Sequence, residues 1–109
     1  MNQSNRKDAM SCVATFTIFP LKRPDEGSLA PYVARAVKIV RESGLPYELG
    51  PMGTVIEGEF DQVMETIGRC HDDLRRDCDR VYLTVAVDSR SGEAGRIRGK
   101  VDSVGELLK

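Results

Sequence analysis

The segment from Tyr47 to Phe60, YELGPMGTVIEGEF, constrains the fold of this chain more than any other feature. Its central residues 50–53, Gly-Pro-Met-Gly, have the composition of a turn, because glycine accepts positive φ and proline fixes φ near the value that begins a turn. The flanking residues 47–49 and 54–59 have strand-like sequences. We therefore predict a β-hairpin here, with other elements required on both sides to complete a sheet.

Strand and helix patterns alternate along the rest of the chain. Residues 12–19 and 81–88 alternate between two faces and predict a first and a last strand. Apolar residues at helical spacing predict one helix before the hairpin, one after it and a third at the C-terminal end. Their stripes are Leu29, Val33, Ala36, Val37 and Val40; Val63, Ile67, Cys70 and Leu74; and Ile97, Val101, Val104 and Leu108.

Residues of defined conformational preference predict where these elements begin and end. Ser28 and Asp61 are expected N-caps of the first two helices, because their side chains accept hydrogen bonds from free backbone N–H groups. Gly44 lies just past the first helix, where a left-handed residue is common. Pro20 cannot donate a backbone hydrogen bond, and we expect it to end the first strand.

The resulting order is βαββαβ followed by a helix, which predicts an α+β, ferredoxin-like sandwich with an extra C-terminal helix. Residues 11–109 are expected to form one domain, preceded by a disordered extension over residues 1–10. Both main helices should cover one face of the sheet. The other face would expose a mixed patch of hydroxyl, aromatic and apolar side chains, which predicts self-association. The predicted patch comprises Thr15, Thr17, Phe19, Tyr82, Thr84 and Ala86.

Composition excludes several classes of partner. The 109 residues include 16 basic and 17 acidic side chains and no Trp, whereas an RNA-binding sheet needs a basic face with stacking aromatic residues. No apolar run approaches the ~18 residues of a membrane span. We therefore expect neither nucleic acid nor a membrane as partner.

The three cysteines, Cys12, Cys70 and Cys78, are odd in number and have no C-x-x-C spacing. This pattern argues against a disulfide framework or a zinc site and favours a reducing, cytoplasmic location. The polar N-terminal residues lack the apolar core of a secretory signal. We predict that the cysteines pack as small apolar residues.

No catalytic motif is present. The serines lack a G-x-S-x-G context, no phosphate-binding glycine loop occurs, and the single histidine, His71, has no ligand-spaced partner. Glu57 and Glu59 are two residues apart on a strand, with no specified proton acceptor, and they are also explained as the solvated side of an alternating strand. The sequence predicts no metal and no cofactor.

Binding is the remaining function class. Threonine hydroxyls, a tyrosine, a methionine and the Glu57 carboxylate beside Gly58 would suit a small, flat, nitrogen-rich ligand such as an aminopyrimidine. A linked cation would be favoured by aromatic faces and negative charge. Which face of the sheet carries Glu57 is left open by the sequence.

Four segments together resemble the small thiamine-binding proteins of ferredoxin-like fold. They are ATFTIFPL at residues 14–21, SLAPYVARAV at 28–37, MGTVIEGE at 52–59 and RVYLTVAVDSR at 80–90. The resemblance extends from about Val13 to Val104. It departs from the family after the Pro-Leu of the first strand, where a glycine is common and this chain has Lys22, Arg23 and Pro24.

The resemblance implies a cytoplasmic protein that binds thiamine or its hydroxymethylpyrimidine half without a known reaction. It also implies a homo-oligomer, with dimers joined through sheets into tetramers and ligand sites near subunit contacts. The positions that match the family's ligand-binding positions are Thr15, Thr17, Met52, Gly53, Thr54, Glu57, Glu59, Tyr82 and Thr84.

Three hypotheses follow, from different classes. The leading one is non-catalytic binding of thiamine or its pyrimidine half, for storage, salvage or delivery. The second is a ligand-free oligomeric interaction module, in which the threonine and tyrosine face only joins subunits. The third, a small enzyme acting on a heteroaromatic substrate, needs a base that no residue of the sequence supplies.

Overall fold

The computed structural model describes residues 10–25, 27–92 and 96–109. Within them the elements are β1 (Met10–Lys22), α1 (Ala30–Glu42), β2 (Tyr47–Leu49), β3 (Thr54–Glu59), α2 (Phe60–Arg75), β4 (Arg80–Ser91) and α3 (Arg96–Leu107). The predicted order is confirmed. The predicted N-terminal extension lies outside the described residues, except for Met10, which begins β1.

The four strands form one antiparallel sheet in the order β2-β3-β1-β4. β1 and β3 lie at the centre, as right-handed crossovers require, and the ferredoxin-like α+β prediction is confirmed. β1 pairs with β3 only from Ser11 to Phe16 but with β4 along its whole length, so residues 17–22 of β1 have a neighbour on one side only.

The hydrophobic core lies between the sheet and helices α1 and α2. β1 contributes alternate residues from Cys12 to Ile18, and the predicted stripe of α2 is fully buried. Aliphatic side chains buried to this degree, such as Ile56 and Leu74, each contribute about 1.5–3 kcal/mol. The predicted stripe of α1 is only partly correct, because Leu29 is exposed and Val33 and Val37 are half-buried.

Helix boundaries differ from the prediction by one or two residues. Leu29, rather than Ser28, is the residue before α1, although the Ser28 hydroxyl still accepts a hydrogen bond from the Ala30 N–H at 3.0 Å. α2 begins at Phe60, so Asp61 lies in its first turn and is not its N-cap. Gly44 has a φ of 81°, which confirms the predicted left-handed end of α1.

The prediction that Pro20 ends the first strand is wrong. β1 continues to Lys22, with an irregular register between Pro20 and Lys22. The strand accommodates the proline because this part of β1 lies beyond its pairing with β3 and needs only one ladder of hydrogen bonds.

α3 lies at one end of the sheet face opposite α1 and α2. It is attached there by a hydrogen bond from the Ile97 N–H to Glu57 and by an ion pair between Lys100 and Asp88. The amphipathic helix predicted from the sequence is confirmed, but Val101 and Val104 of its apolar stripe remain more than half exposed. Among the described residues no helix combines the length and apolar character needed to span a membrane.

Candidate functional site

The hairpin turn at residues 50–53 is held against β1. The Gly50 N–H donates to the Gly53 carbonyl at 2.9 Å and closes the turn, and the Thr17 hydroxyl donates to the Met52 carbonyl at 2.8 Å. A Cβ on Gly53 would lie 3.0 Å from the Phe16 carbonyl oxygen and 2.9 Å from Thr17 Oγ1. Glycine is therefore required here by the close approach of two backbones.

A cleft of about 230 Å³ lies between this turn and α1. Its apolar walls are formed by Phe16 and Ile18 of β1, Val33, Ala36 and Val37 of α1, and Leu49 of β2. The hairpin turn forms one rim. Among the described residues that line the cleft, Thr17 and Thr54 carry hydroxyl groups. An apolar concavity with a few polar groups at its edge is the usual form of a small-molecule site.

Four of the nine predicted site residues meet at this cleft: Thr17, Met52, Gly53 and Thr54. Met52 is 86% exposed on the turn, whereas Thr54 is buried. The hydrogen bond between Thr17 and the Met52 backbone joins the two chain segments. The structure therefore brings residues 35 positions apart in sequence into one place.

Three further predicted residues lie on the sheet face opposite α1 and α2. Thr84 is the direct cross-strand partner of Thr17, and Thr15 is paired with Ala86. Tyr82 is 48% exposed, and its ring packs against Phe19 with centroids 5.3 Å apart. These side chains share the predicted open face and do not line the cleft.

The two predicted carboxylates have different environments. Glu57 is only 3% exposed, and its Oε1 accepts the Ile97 N–H at 3.3 Å in the first turn of α3. A carboxylate at this position satisfies a free helix N–H and interacts favourably with the helix dipole. The interpretation as a solvated strand face is therefore wrong for Glu57, whereas Glu59 is exposed.

Glu57 lies across the strands from Val13 and Asp88, on the face that α3 partly covers. The question of which face carries Glu57 is thereby answered. No local pattern signals its contact with α3, because that contact joins residues 40 positions apart.

No thiolate nucleophile is available near the site. Burial raises the pKa of the Cys12 thiol, and the Glu57 carboxylate raises it further. Burial also raises the pKa of Cys70 to about 11 and raises the pKa of Cys78. All three thiols are therefore protonated at neutral pH, and the predicted packing of the cysteines as buried residues is confirmed.

An ion-pair cluster on the helical side was not predicted from the sequence. Arg35 of α1 donates to the carboxylates of Asp73 and Asp77 at 2.9 and 3.0 Å, and its guanidinium lies 5.7 Å from the ring centroid of Tyr32. This cluster joins α1 to the end of α2. No group of three potential metal ligands occurs in the part of the chain that the structure describes.

The sheet order and the two covering helices define the chain as a ferredoxin-like α+β domain. Residues 14–105 match the sequence model of the family described as "Thiamine-binding protein". The chain belongs to this thiamine-binding protein family.

Relatives and solved structures agree with this assignment. A UPF0045 protein of Methanothermobacter thermautotrophicus is 38% identical over 97 residues, which cover 87% of this chain and 97% of the relative. The UPF0045 protein MJ1052 of Methanocaldococcus jannaschii is 32% identical over 95 residues, which cover 87% of this chain and 93% of the relative.

The crystal structure of MJ1052 aligns with a TM-score of 0.78 at 30% identity, over 88% of this chain and 97% of that one. A Thermotoga maritima structure, described as that of a candidate thiamine biosynthesis/salvage protein, aligns with a TM-score of 0.74 at 26% identity. This alignment covers 86% of this chain and 98% of the Thermotoga maritima chain.

Proposed function

We propose that this protein binds thiamine or its hydroxymethylpyrimidine half without catalysing a reaction. One observation carries the proposal: two segments of the family resemblance, Thr17 in β1 and residues 52–54 in the hairpin, meet at the mouth of one apolar cleft. The proposed ligand-binding residues of the cleft are Thr17, Met52, Gly53 and Thr54.

The size of the cleft favours a small ring as its occupant. About 230 Å³ is less than the roughly 300–1,000 Å³ of pockets that enclose drug-sized ligands. A substituted pyrimidine fits this space between the walls formed by Phe16 and Val37. The Thr54 hydroxyl can donate to or accept from its nitrogen substituents, whereas the Thr17 hydroxyl, which donates to the Met52 carbonyl, can only accept. The thiazolium half of thiamine would extend outside the cleft.

The other five predicted residues, Thr15, Glu57, Glu59, Tyr82 and Thr84, lie outside the cleft. They remain predictions for ligand contact. We propose that the protein is a homo-oligomer assembled through the face that carries Thr15, Tyr82 and Thr84. We also propose a cytoplasmic location, which the three buried free cysteines support.

The exposed stripe of α3 supports the proposed assembly. Val101, Val104 and Leu108 of this stripe are 54%, 57% and 80% exposed in the isolated chain. A helix with an apolar stripe normally buries it, so a stripe left in solvent indicates a partner surface. We expect sedimentation to show an oligomer at micromolar concentration and Val104→Asp to shift it toward monomer. A wild-type monomer at that concentration would contradict the assembly.

Titration calorimetry with thiamine and hydroxymethylpyrimidine tests the ligand. Val37→Phe fills the cleft from a half-buried position, and we expect it to lower affinity by at least about tenfold, equivalent to 1.4 kcal/mol. Val87→Phe, on β4 and outside the cleft lining, is the matched control and should bind normally. The absence of heat and of thermal stabilisation at millimolar ligand would refute the proposal.

The same exposed stripe favours a second candidate function, a ligand-free interaction module. In that case Val104→Asp changes assembly, while neither thiamine nor hydroxymethylpyrimidine raises the unfolding temperature. A bound ligand at 100 times its Kd would stabilise the fold by about 2.7 kcal/mol, which a thermal melt readily detects. The two functions are therefore separable in one set of melts.

A further inference from the structure

A second groove continues from the cleft along the outer side of α1. Val33, Val37 and Leu49 line both, so the two cavities adjoin. The groove has a volume of about 530 Å³ and is open, since its remaining lining residues are exposed. These are Ala30, Ala34, Lys38 and Arg41. A ligand whose ring occupies the cleft can therefore extend a substituent into the groove.

The charges of the groove are all of one sign. Lys38 and Arg41 are three residues apart on α1 and so lie on the same side of the helix. Neither forms an ion pair with any residue that the structure describes. Among the described residues no carboxylate lines the cleft or the groove. The pair therefore presents two free cationic groups beside an apolar cavity.

We propose that this site selects a phosphate ester of the pyrimidine, with the ring in the cleft and the phosphate at Lys38 and Arg41. The inference rests on the proposed function and specifies the chemical class of its ligand. A phosphate monoester carries a charge of about −1.5 to −2 at neutral pH, and arginine matches its oxygens with two parallel N–H donors.

Charge complementarity distinguishes the possible ligands. Free thiamine is a cation, and its thiazolium ring would extend from the cleft toward two positive side chains. The neutral hydroxymethylpyrimidine gains nothing from those side chains. Of these three ligands, only the phosphate ester combines a ring for the apolar walls with a negative charge for the groove, and its attraction to exposed cations should weaken with salt.

Titration calorimetry with hydroxymethylpyrimidine, its monophosphate, thiamine and inorganic phosphate tests the inference. At low salt we expect the monophosphate to bind on the order of tenfold more tightly than the free alcohol, the preference falling as salt rises. The double variant Lys38→Gln/Arg41→Gln should abolish the preference and leave the affinity for the alcohol unchanged. The double variant Lys22→Gln/Arg76→Gln, at two exposed positions outside both cavities, removes the same number of charges and should keep the preference.

The outcomes separate this inference from the proposed function. Equal affinities for alcohol and monophosphate, or a preference that survives the double variant, would overturn the inference and leave pyrimidine binding intact. Inorganic phosphate that binds as tightly as the ester would also overturn it, since the ring would then contribute nothing. The absence of binding by all the pyrimidine ligands would refute the proposed function itself.

Discussion

Replacing Gly53 with alanine tests the close contact on which the cleft depends. The φ of Gly53 is not in the left-handed region, so an alanine there meets only a steric obstacle. Its Cβ would lie 3.0 Å from the Phe16 carbonyl oxygen, 2.9 Å from Thr17 Oγ1 and 3.4 Å from Thr15 Oγ1. The backbone oxygen cannot rotate away, so we expect the hairpin turn to move outward.

The effect of this movement on the free energy of unfolding is the sum of three contributions. Overpacking of one methyl group costs about 1–3 kcal/mol. Displacement of the turn also breaks the hydrogen bond from Thr17 to Met52, which is worth about 0.5–1.5 kcal/mol. Alanine also lowers the conformational entropy of the unfolded chain, which stabilises the folded protein by about 0.4–1 kcal/mol. The expected net loss in the free energy of unfolding is about 2 kcal/mol.

Urea denaturation followed by far-ultraviolet circular dichroism measures this loss. A change of about 2 kcal/mol lowers the midpoint by roughly 1–2 M urea for a domain of this size. Gly68→Ala is the control, because Gly68 lies within α2 with nothing within 4 Å of its added Cβ. There alanine should stabilise the protein by about 0.5–1 kcal/mol.

A Gly53→Ala protein as stable as wild type would refute the reasoning. So would a loss equal to that of a surface substitution, within about 0.5 kcal/mol. The double variant Gly53→Ala/Thr17→Ser keeps the contacts of the added methyl group with the Phe16 carbonyl and with the hydroxyl at position 17, and should remain destabilised. The Gly53→Ala variant should also bind the ligand more weakly than wild type, because the displaced turn forms one rim of the cleft.

Two further predictions concern contacts between helices and their neighbours. Glu57→Gln should increase the rate of amide hydrogen exchange in the first turn of α3 about two- to fivefold, because it removes about 0.5–1 kcal/mol of charge interaction at the Ile97 N–H. An unchanged exchange rate would contradict this role of Glu57. A loss of ligand affinity in the same variant would instead support contact between Glu57 and the ligand. The hydrogen bond from Arg35 lowers the pKa of Asp77 below its ordinary 3.8, so this contribution to stability is present at neutral pH and is lost as pH falls through the lowered pKa. Arg35→Gln should therefore have a lower urea midpoint than wild type at pH 7, with a smaller difference at pH 2.5; a difference independent of pH would exclude the ion pair as its cause.

The order of elements and the fold could be predicted from the sequence because their signals are local. The stripe of α2 and the hairpin turn at residues 50–53 each depend on spacing within a few residues, and the order βαββαβ leaves few possible topologies. Helix ends were less well predicted, since Ser28 accepts a hydrogen bond without being the residue that begins α1.

The candidate site could be predicted only in part. Met52, Gly53 and Thr54 were identified because turn chemistry and the family resemblance coincide in one short segment. The role of Val33 and Val37 as cleft walls was not predicted, because helical spacing cannot distinguish a residue that faces the core from one that faces a cavity beside it. The contact of Glu57 with α3 could not be predicted, because it depends on the tertiary position of a helix that begins about 40 residues further along the chain.

Residues 17–22 of β1, which pair with β4 but have no strand on their other side, have a consequence for solubility. A strand with a vacant side offers its N–H and C=O groups to strands of other molecules and can template aggregation. Here the hairpin turn lies against the start of that side, where the Thr17 hydroxyl donates to the Met52 carbonyl, and Pro20 further along has no N–H to donate. A proline near the end of a long strand thus protects the protein from edge-to-edge association without shortening the strand.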